Sequence, residues 1–205
     1  MTLDAQSVDP LMQPEATSNP LDIFSAWFDS AGAAGERADA AALATIGDAG
    51  PSVRMVLVKG CVNGQLRVFT HYQSRKAREL EHAGRAALVF FYPRLEAQIR
   101  VEGSAQRVSP AESDAYFTAR PLGSQISASV SPQGQVIGSH AELEAARRQL
   151  IASLGQQAPP RPANWGGYAI TPDVFEFWRE GEHRLHHRYH YRLSHSGWRF
   201  SLLAP

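Results

Sequence analysis

Three groups of residues in this chain have types and spacings that could do chemistry. Near the C-terminus, Arg184-Leu185-His186-His187-Arg188 begins six residues after Trp178. Read as a β-strand, period two puts Arg184, His186 and Arg188 on one face. Two guanidiniums beside an imidazole repel one another. The row is therefore either a solvated face or a surface for an anionic or electron-rich ligand. Ser74-Arg75-Lys76 opens a helix. Cations in a first turn oppose the helix dipole, unless a phosphate lies there to collect free N–H groups, a hydroxyl and two charges. Tyr116, Arg120 and Ser124 recur at spacing four. The first pair shares a helix face, and Pro121 breaks the helix before Ser124. Together they would make a second phosphate cradle. A core tyrosine beside a surface arginine is the plainer alternative.

Arg54 and Lys59 flank the apolar run Met55–Val58. Strict alternation puts them on opposite faces unless a bulge intervenes. His183, His186, His187 and His190 invite a metal reading, but no carboxylate or thiolate stands at ligand spacing and arginines interleave. No metal site is expected. There is no Walker or Rossmann glycine pattern, no Ser-His-Asp arrangement and no paired-carboxylate motif.

These residues need elements to hold them. Asn19-Pro20 caps a helix with the apolar stripe Leu21, Phe24, Trp27 and Phe28. Strands are expected at Ala41–Ile46, Val53–Lys59 and Leu66–Thr70, with a hairpin signal at Asn63-Gly64. A helix from Ser74 to about Ala83 and strands Ala86–Tyr92 and Gln98–Val108 follow. Five mostly antiparallel strands around one short helix point to a barrel with helices packed outside. Ser109-Pro110-Ala111-Glu112 is a capping box for a helix to Arg120. Residues 122–138 leave room for a short helix, and His140–Leu154 is a helix. Strands near 168–178, 184–193 and 198–203 complete the chain. Residues 1–19 read as a flexible N-terminal arm, and 20–205 as a single domain.

At 205 residues the chain can bury a sizeable core. Its one cysteine, Cys61, excludes an intrachain disulfide framework and suits a reducing cytosol. No basic-then-apolar leader and no bilayer-length apolar run is present, so neither export nor a membrane role is expected. Net charge is zero, yet residues 1–53 hold one arginine against eight acids, and residues 54–107 hold ten Lys/Arg against four. A basic middle in a neutral protein suggests a local anion site and argues against a nucleic-acid surface.

An ordered set of segments from about residue 20 to the end resembles the pyridoxine/pyridoxamine 5′-phosphate oxidase family. It comprises Arg54–Lys59, Ser74-Arg75-Lys76, Gln98, Tyr116–Pro121, Gly123–Ile126, Ser131-Pro132-Gln133, Trp165–Tyr168, Phe175–Trp178, Arg184-Leu185-His186 and Leu203-Ala204-Pro205. The resemblance implies a mainly β fold with flanking helices: an FMN-binding split β-barrel, homodimeric through C-terminal strands. It implies flavin contacts at Arg54, Met55, Val56, Leu57, Thr70, Arg75, Lys76, Gln98, Gln133, Trp178 and Arg188. It implies a substrate-phosphate cradle of Lys59, Tyr116, Arg120 and Ser124, with Arg184 and His186 as the catalytic groups over the substrate ring. The implied partners are a phosphorylated B6 vitamer and O2. Phe69 stands where a tyrosine is common in the family, Gly134 where a serine is, and His187 where an aspartate is.

Overall fold

The computed structural model describes residues 11–205. Helix α1 (Pro20–Ala33) starts where Asn19 accepts the Leu21 N–H, with Pro20 in the first turn. It buries Ile23, Phe24 and Trp27. Strands β1 (Ala40–Gly47), β2 (Gly50–Val62) and β3 (Gln65–His71) follow. Helix α2 (Arg75–Ala83) is capped by Ser74 and ends on left-handed Gly84. Then come β4 (Arg85–Tyr92), β5 (Ala97–Arg107) and helices α3 (Pro110–Ala119), α4 (Leu122–Val130) and α5 (His140–Leu154). Strands β6 (Trp165–Arg179), β7 (His187–Ser194) and β8 (Gly197–Leu202) close the chain.

The sheet order is β3-β2-β1-β4-β5-β6-β7-β8, and β3 also pairs with β6. That extra pairing closes six antiparallel strands into a barrel, one more than the five read from the sequence. Alternation fills its interior: Leu88, Phe90 and Tyr92 from β4 and Ile99 and Val101 from β5 are fully buried. Trp27 and Phe24 plug it edge-on against Phe177 and Phe90. β6 belongs to two pairings. Residues 165–170 meet β3 and residues 174–179 meet β7, while β5 pairs along residues 168–179. The strand bends where its register with β5 shifts between Glu102 and Gly103. A Cβ on Gly103 would lie 2.2 Å from the Thr171 carbonyl oxygen, so only glycine admits that approach.

Two expectations are corrected. Arg184 is not on a strand: it ends a 3-10 turn (Glu182–Arg184) with φ of 67°, next to His183 at 53°. The Gly181 N–H reaches His186 Nδ1 at 3.3 Å, and the Leu185 N–H reaches the Glu182 carbonyl at 2.9 Å. The chain must double back there to start β7 at His187, so the period-two row of Arg184, His186 and Arg188 does not form. Nor is all of 1–19 a loose arm. Leu11 is buried; the Met12 carbonyl accepts from Trp27 Nε1, Gln13 donates to the Tyr189 hydroxyl, and the Glu15 carbonyl accepts from Tyr191. Polar atoms on aromatic residues that pack into the core need partners, and this stretch supplies them without any periodicity. Residues 1–10 lie outside the described residues.

Candidate active site

One cavity, of about 320 Å³, opens beside β2, β3 and the ends of α3 and α4. β2 gives it Leu57 and Lys59, β3 gives Phe69 and His71, and α3 gives Tyr116 and Arg120. Arg54 faces away into another cluster, as strand alternation requires. The aromatic wall is layered: Phe69 stacks on Tyr116 at 3.8 Å, and Tyr116 lies parallel to Trp165 at 6.2 Å. Gly167 makes room for this, since a Cβ there would sit 2.6 Å from the Phe69 ring. Arg120 caps the stack, its guanidinium 4.8 Å from the Trp165 ring. Ser127 and Ser131 reach the cavity, whereas Ser124 sits half-buried earlier on α4 and does not line it.

The electrostatics of this region are one-sided. Lys76 is partly buried, and its Nζ donates to Thr70 Oγ1 and Gln133 Oε1, each at 3.3 Å. Burial and then the charge of Arg54 push its ammonium below the usual lysine range. Arg120 has a buried Nη1 with no hydrogen-bond partner, and burial works against its charge. Among the described residues neither cation has a carboxylate within ion-pair distance. Buried His71 is also held below its usual range, by burial and then by Lys76 and Arg120; its Nδ1 has no partner. Thr70 donates to Gln133 Oε1 at 2.7 Å, tying β3 to the loop after α4.

Next to it lies a compensated cluster. Glu79, 7% exposed, accepts from Arg75 Nε at 2.6 Å, Arg54 Nη2 at 3.1 Å and the Thr45 hydroxyl at 2.6 Å. Arg54 also donates to Ser52 Oγ, Thr45 Oγ1 and the Leu43 carbonyl. Burial alone would raise the Glu79 carboxyl; Thr45, Arg75 and Arg54 outweigh it and hold it below its usual range. Sequence reading passed over Glu79, although its i+4 spacing from Arg75 is the signal for such a pair. Arg75 keeps about half its side chain exposed beyond that contact. Of the adjacent β2 residues, Met55 and Leu57 are exposed and Val56 packs on the core.

The remaining expected residues gather elsewhere. Register places Gln98 of β5 opposite Trp178 of β6, and Trp178 opposite Arg188 of β7, so three residues distant in sequence form one row. Arg188 donates to Glu176 Oε1 at 2.8 Å and to the Ala204 carbonyl at 2.9 Å. The His186 ring lies 4.7 Å from that of Trp178. Arg184 and His186 line a surface recess with Glu180 and Glu182, not the cavity of Lys59 and Arg120. A single chain thus presents two half-sets of the expected site, not one site.

A closed six-stranded antiparallel barrel with outer helices and a cationic, aromatic-walled cavity defines a split β-barrel. Residues 31–152 match the family profile described as pyridoxamine 5′-phosphate oxidase, and residues 165–205 match the pyridoxine 5′-phosphate oxidase C-terminal dimerisation region. The chain belongs to the pyridoxine/pyridoxamine 5′-phosphate oxidase family. A pyridoxine/pyridoxamine 5′-phosphate oxidase of Bordetella petrii is 46% identical over 198 residues, covering 95% of this chain and 93% of that one. A Burkholderia thailandensis protein of the same name is 44% identical over 209 residues, covering 100% and 94%. Among solved structures, PhzG from Burkholderia lata in complex with tetrahydrophenazine-1-carboxylic acid superposes with a TM-score of 0.89 at 28% identity, covering 95% and 98%. A pyridoxamine 5′-phosphate oxidase-related, FMN-binding protein of Nostoc punctiforme shares the fold, with a TM-score of 0.73 at 19% identity over 92% and 100%.

Proposed function

We propose that this protein is an FMN-dependent oxidase, a homodimer that converts pyridoxamine 5′-phosphate or pyridoxine 5′-phosphate to pyridoxal 5′-phosphate, with O2 as acceptor and H2O2 as product. One observation carries the reading: two partly buried cations, Arg120 in the wall of the aromatic cavity and Lys76 joined to it through Gln133, have no carboxylate within ion-pair distance among the described residues. Uncompensated buried cations are costly unless an anion completes them. FMN and a phosphorylated vitamer each bring a phosphate and a flat ring.

Arg75, Lys76 and the start of α2 would hold the FMN phosphate, with Thr70 and Gln133 beside it. Lys59, Tyr116 and Arg120 would hold the substrate phosphate, and Ser124 would need a shift of α4 to join them. The aromatic layer excludes water from that end and fixes the ring plane. Bound flavin would supply the chemistry, a two-electron oxidation at the substrate's 4′ carbon with oxygen as final acceptor. Arg184 and His186 would orient the substrate ring and answer charge that develops on it.

Those two lie in the other half-set, which favours a site completed by a second copy. The outer face of β1, β2 and β4 supports this: Val53, Met55 and Phe91 are 68%, 66% and 61% exposed, an apolar patch continuous with the Gln98–Trp178–Arg188 row.

The test is direct. Purified protein is expected to be yellow, to release FMN on denaturation and to form peroxide with pyridoxamine 5′-phosphate far better than with pyridoxamine. A colourless protein that also fails to take up FMN sinks the reading. Equal kcat/KM with and without the phosphate moves it toward a different reduced ring, as with the phenazine ligand of the Burkholderia lata protein.

A further inference from the structure

Of the two cations in the cavity wall, Lys59 and Arg120, only Lys59 has a counter-ion among the described residues. Its Nζ donates to Asp39 Oδ2 at 2.7 Å, and both side chains are about one-third exposed, at 31% and 29%. Asp39 is held in place by its own backbone, since its carbonyl accepts the Val58 N–H at 2.7 Å. That anchor sits at the β2 register shift, so the carboxylate is fixed beside Lys59. Asp39 stands behind Lys59 and is not part of the cavity wall. Arg37 touches it at 3.4 Å but is largely exposed and points to solvent. Among the described residues Lys76 and Arg120 have no such partner, so the difference is local to this one ammonium.

We propose that Asp39 is an affinity-setting residue of the substrate site: an internal counter-ion that draws Lys59 away from the phosphate and lowers affinity for phosphate esters. This rests on the reading of Lys59 as a substrate-phosphate ligand. A phosphate held by Lys59 shares one ammonium with a fixed carboxylate, and like charges so close repel. Substrate and product both carry the phosphate, so Asp39 weakens both and favours product release. Burial works against its charge, but Lys59 and then Arg37 outweigh it and hold the carboxyl below the usual range. It stays ionised in ordinary assays, so substitution is the way to switch it off.

The experiment uses the FMN-loaded enzyme and Asp39→Asn, which removes the charge and keeps an acceptor for Lys59. KM for pyridoxamine 5′-phosphate is expected to fall roughly three- to fivefold, the scale of a part-exposed ion pair. The inhibition constant of inorganic phosphate should fall in the same proportion, with kcat within about twofold. Mere damage to the cradle would raise both constants, so the direction separates the two. Placing Asp39→Asn on a Lys59→Met background should abolish the gain. KM unchanged or raised in Asp39→Asn, or the same gain without Lys59, overturns the proposal and leaves the cradle standing. If Lys59→Met alone leaves phosphate inhibition unaltered, the cradle assignment of Lys59 falls, and the proposal with it.

Discussion

Glu79 neutralises part of the charge of two arginines on different elements, Arg54 of β2 and Arg75 of α2. Glu79→Ala would leave Arg54 short of its one anionic partner among the described residues, in a mostly buried setting. Stability is expected to fall by about 2 kcal/mol, read as a lower denaturant midpoint at unchanged slope. FMN affinity should fall too, because Arg75 loses the contact that aims it. His71 makes a second residue-level prediction. Its folded pKa is depressed by burial, Lys76 and Arg120. The unfolded chain therefore binds the proton more readily, and this share of stability is present above about pH 6.5 and lost as pH falls below it. His71→Asn should flatten the melting-temperature difference between pH 7.5 and 5.5; an unchanged slope would clear His71 of that role. At this scale the sequence singled out chemically loud residues, and the fold brings two of them, Tyr116 and Arg120, to one cavity. It was silent on Glu79 and His71, whose importance comes from burial that only the fold creates.

The β6–β7 hairpin puts residues close in sequence in different structural settings. Arg188 sits on a strand, fixed by Glu176 and the Ala204 carbonyl, while Arg184 and His186 belong to the turn. Arg184→Ala and His186→Ala are expected to keep FMN and lose kcat/KM by tenfold or more, about 1.4 kcal/mol of transition-state stabilisation. Arg188→Ala should instead shed flavin, measured as released fluorescence. Loss of flavin from the turn variants with normal turnover by the remaining holoenzyme would reverse this division. Most elements were legible because their signals are local: the caps Asn19 and Ser109 and the turn Asn63-Gly64 act where expected, and the helix read from Ser74 starts there, with Ser74 as its cap. The turn at 182–186 was not legible, because positive φ at His183 and Arg184 is set by the need to reverse the chain. A strand pattern and a tight turn rich in His and Arg look alike in sequence.

At the scale of the whole molecule, two half-sites on one chain predict complementation. Arg120→Ala and His186→Ala should each be impaired. Mixed by subunit exchange, they should recover about a quarter of full activity, because half the dimers are mixed and each holds one intact site. No recovery, with exchange demonstrated, would put both halves of each site on one chain. Barrel, helices and C-terminal strands were legible from patterning, but the closing pair β3–β6 was not, since nothing local marks Leu66 and Ile170 as neighbours. That closure also has a consequence during synthesis. Residues 72–164 must leave the ribosome before β3 can meet β6, and at roughly 5–20 residues per second that takes on the order of ten seconds. Throughout it β3, and from its own emergence β5, waits with an unpaired edge, the state in which strands recruit the wrong partners. A nascent chain stalled near residue 160 is therefore the form of this protein most in need of a chaperone.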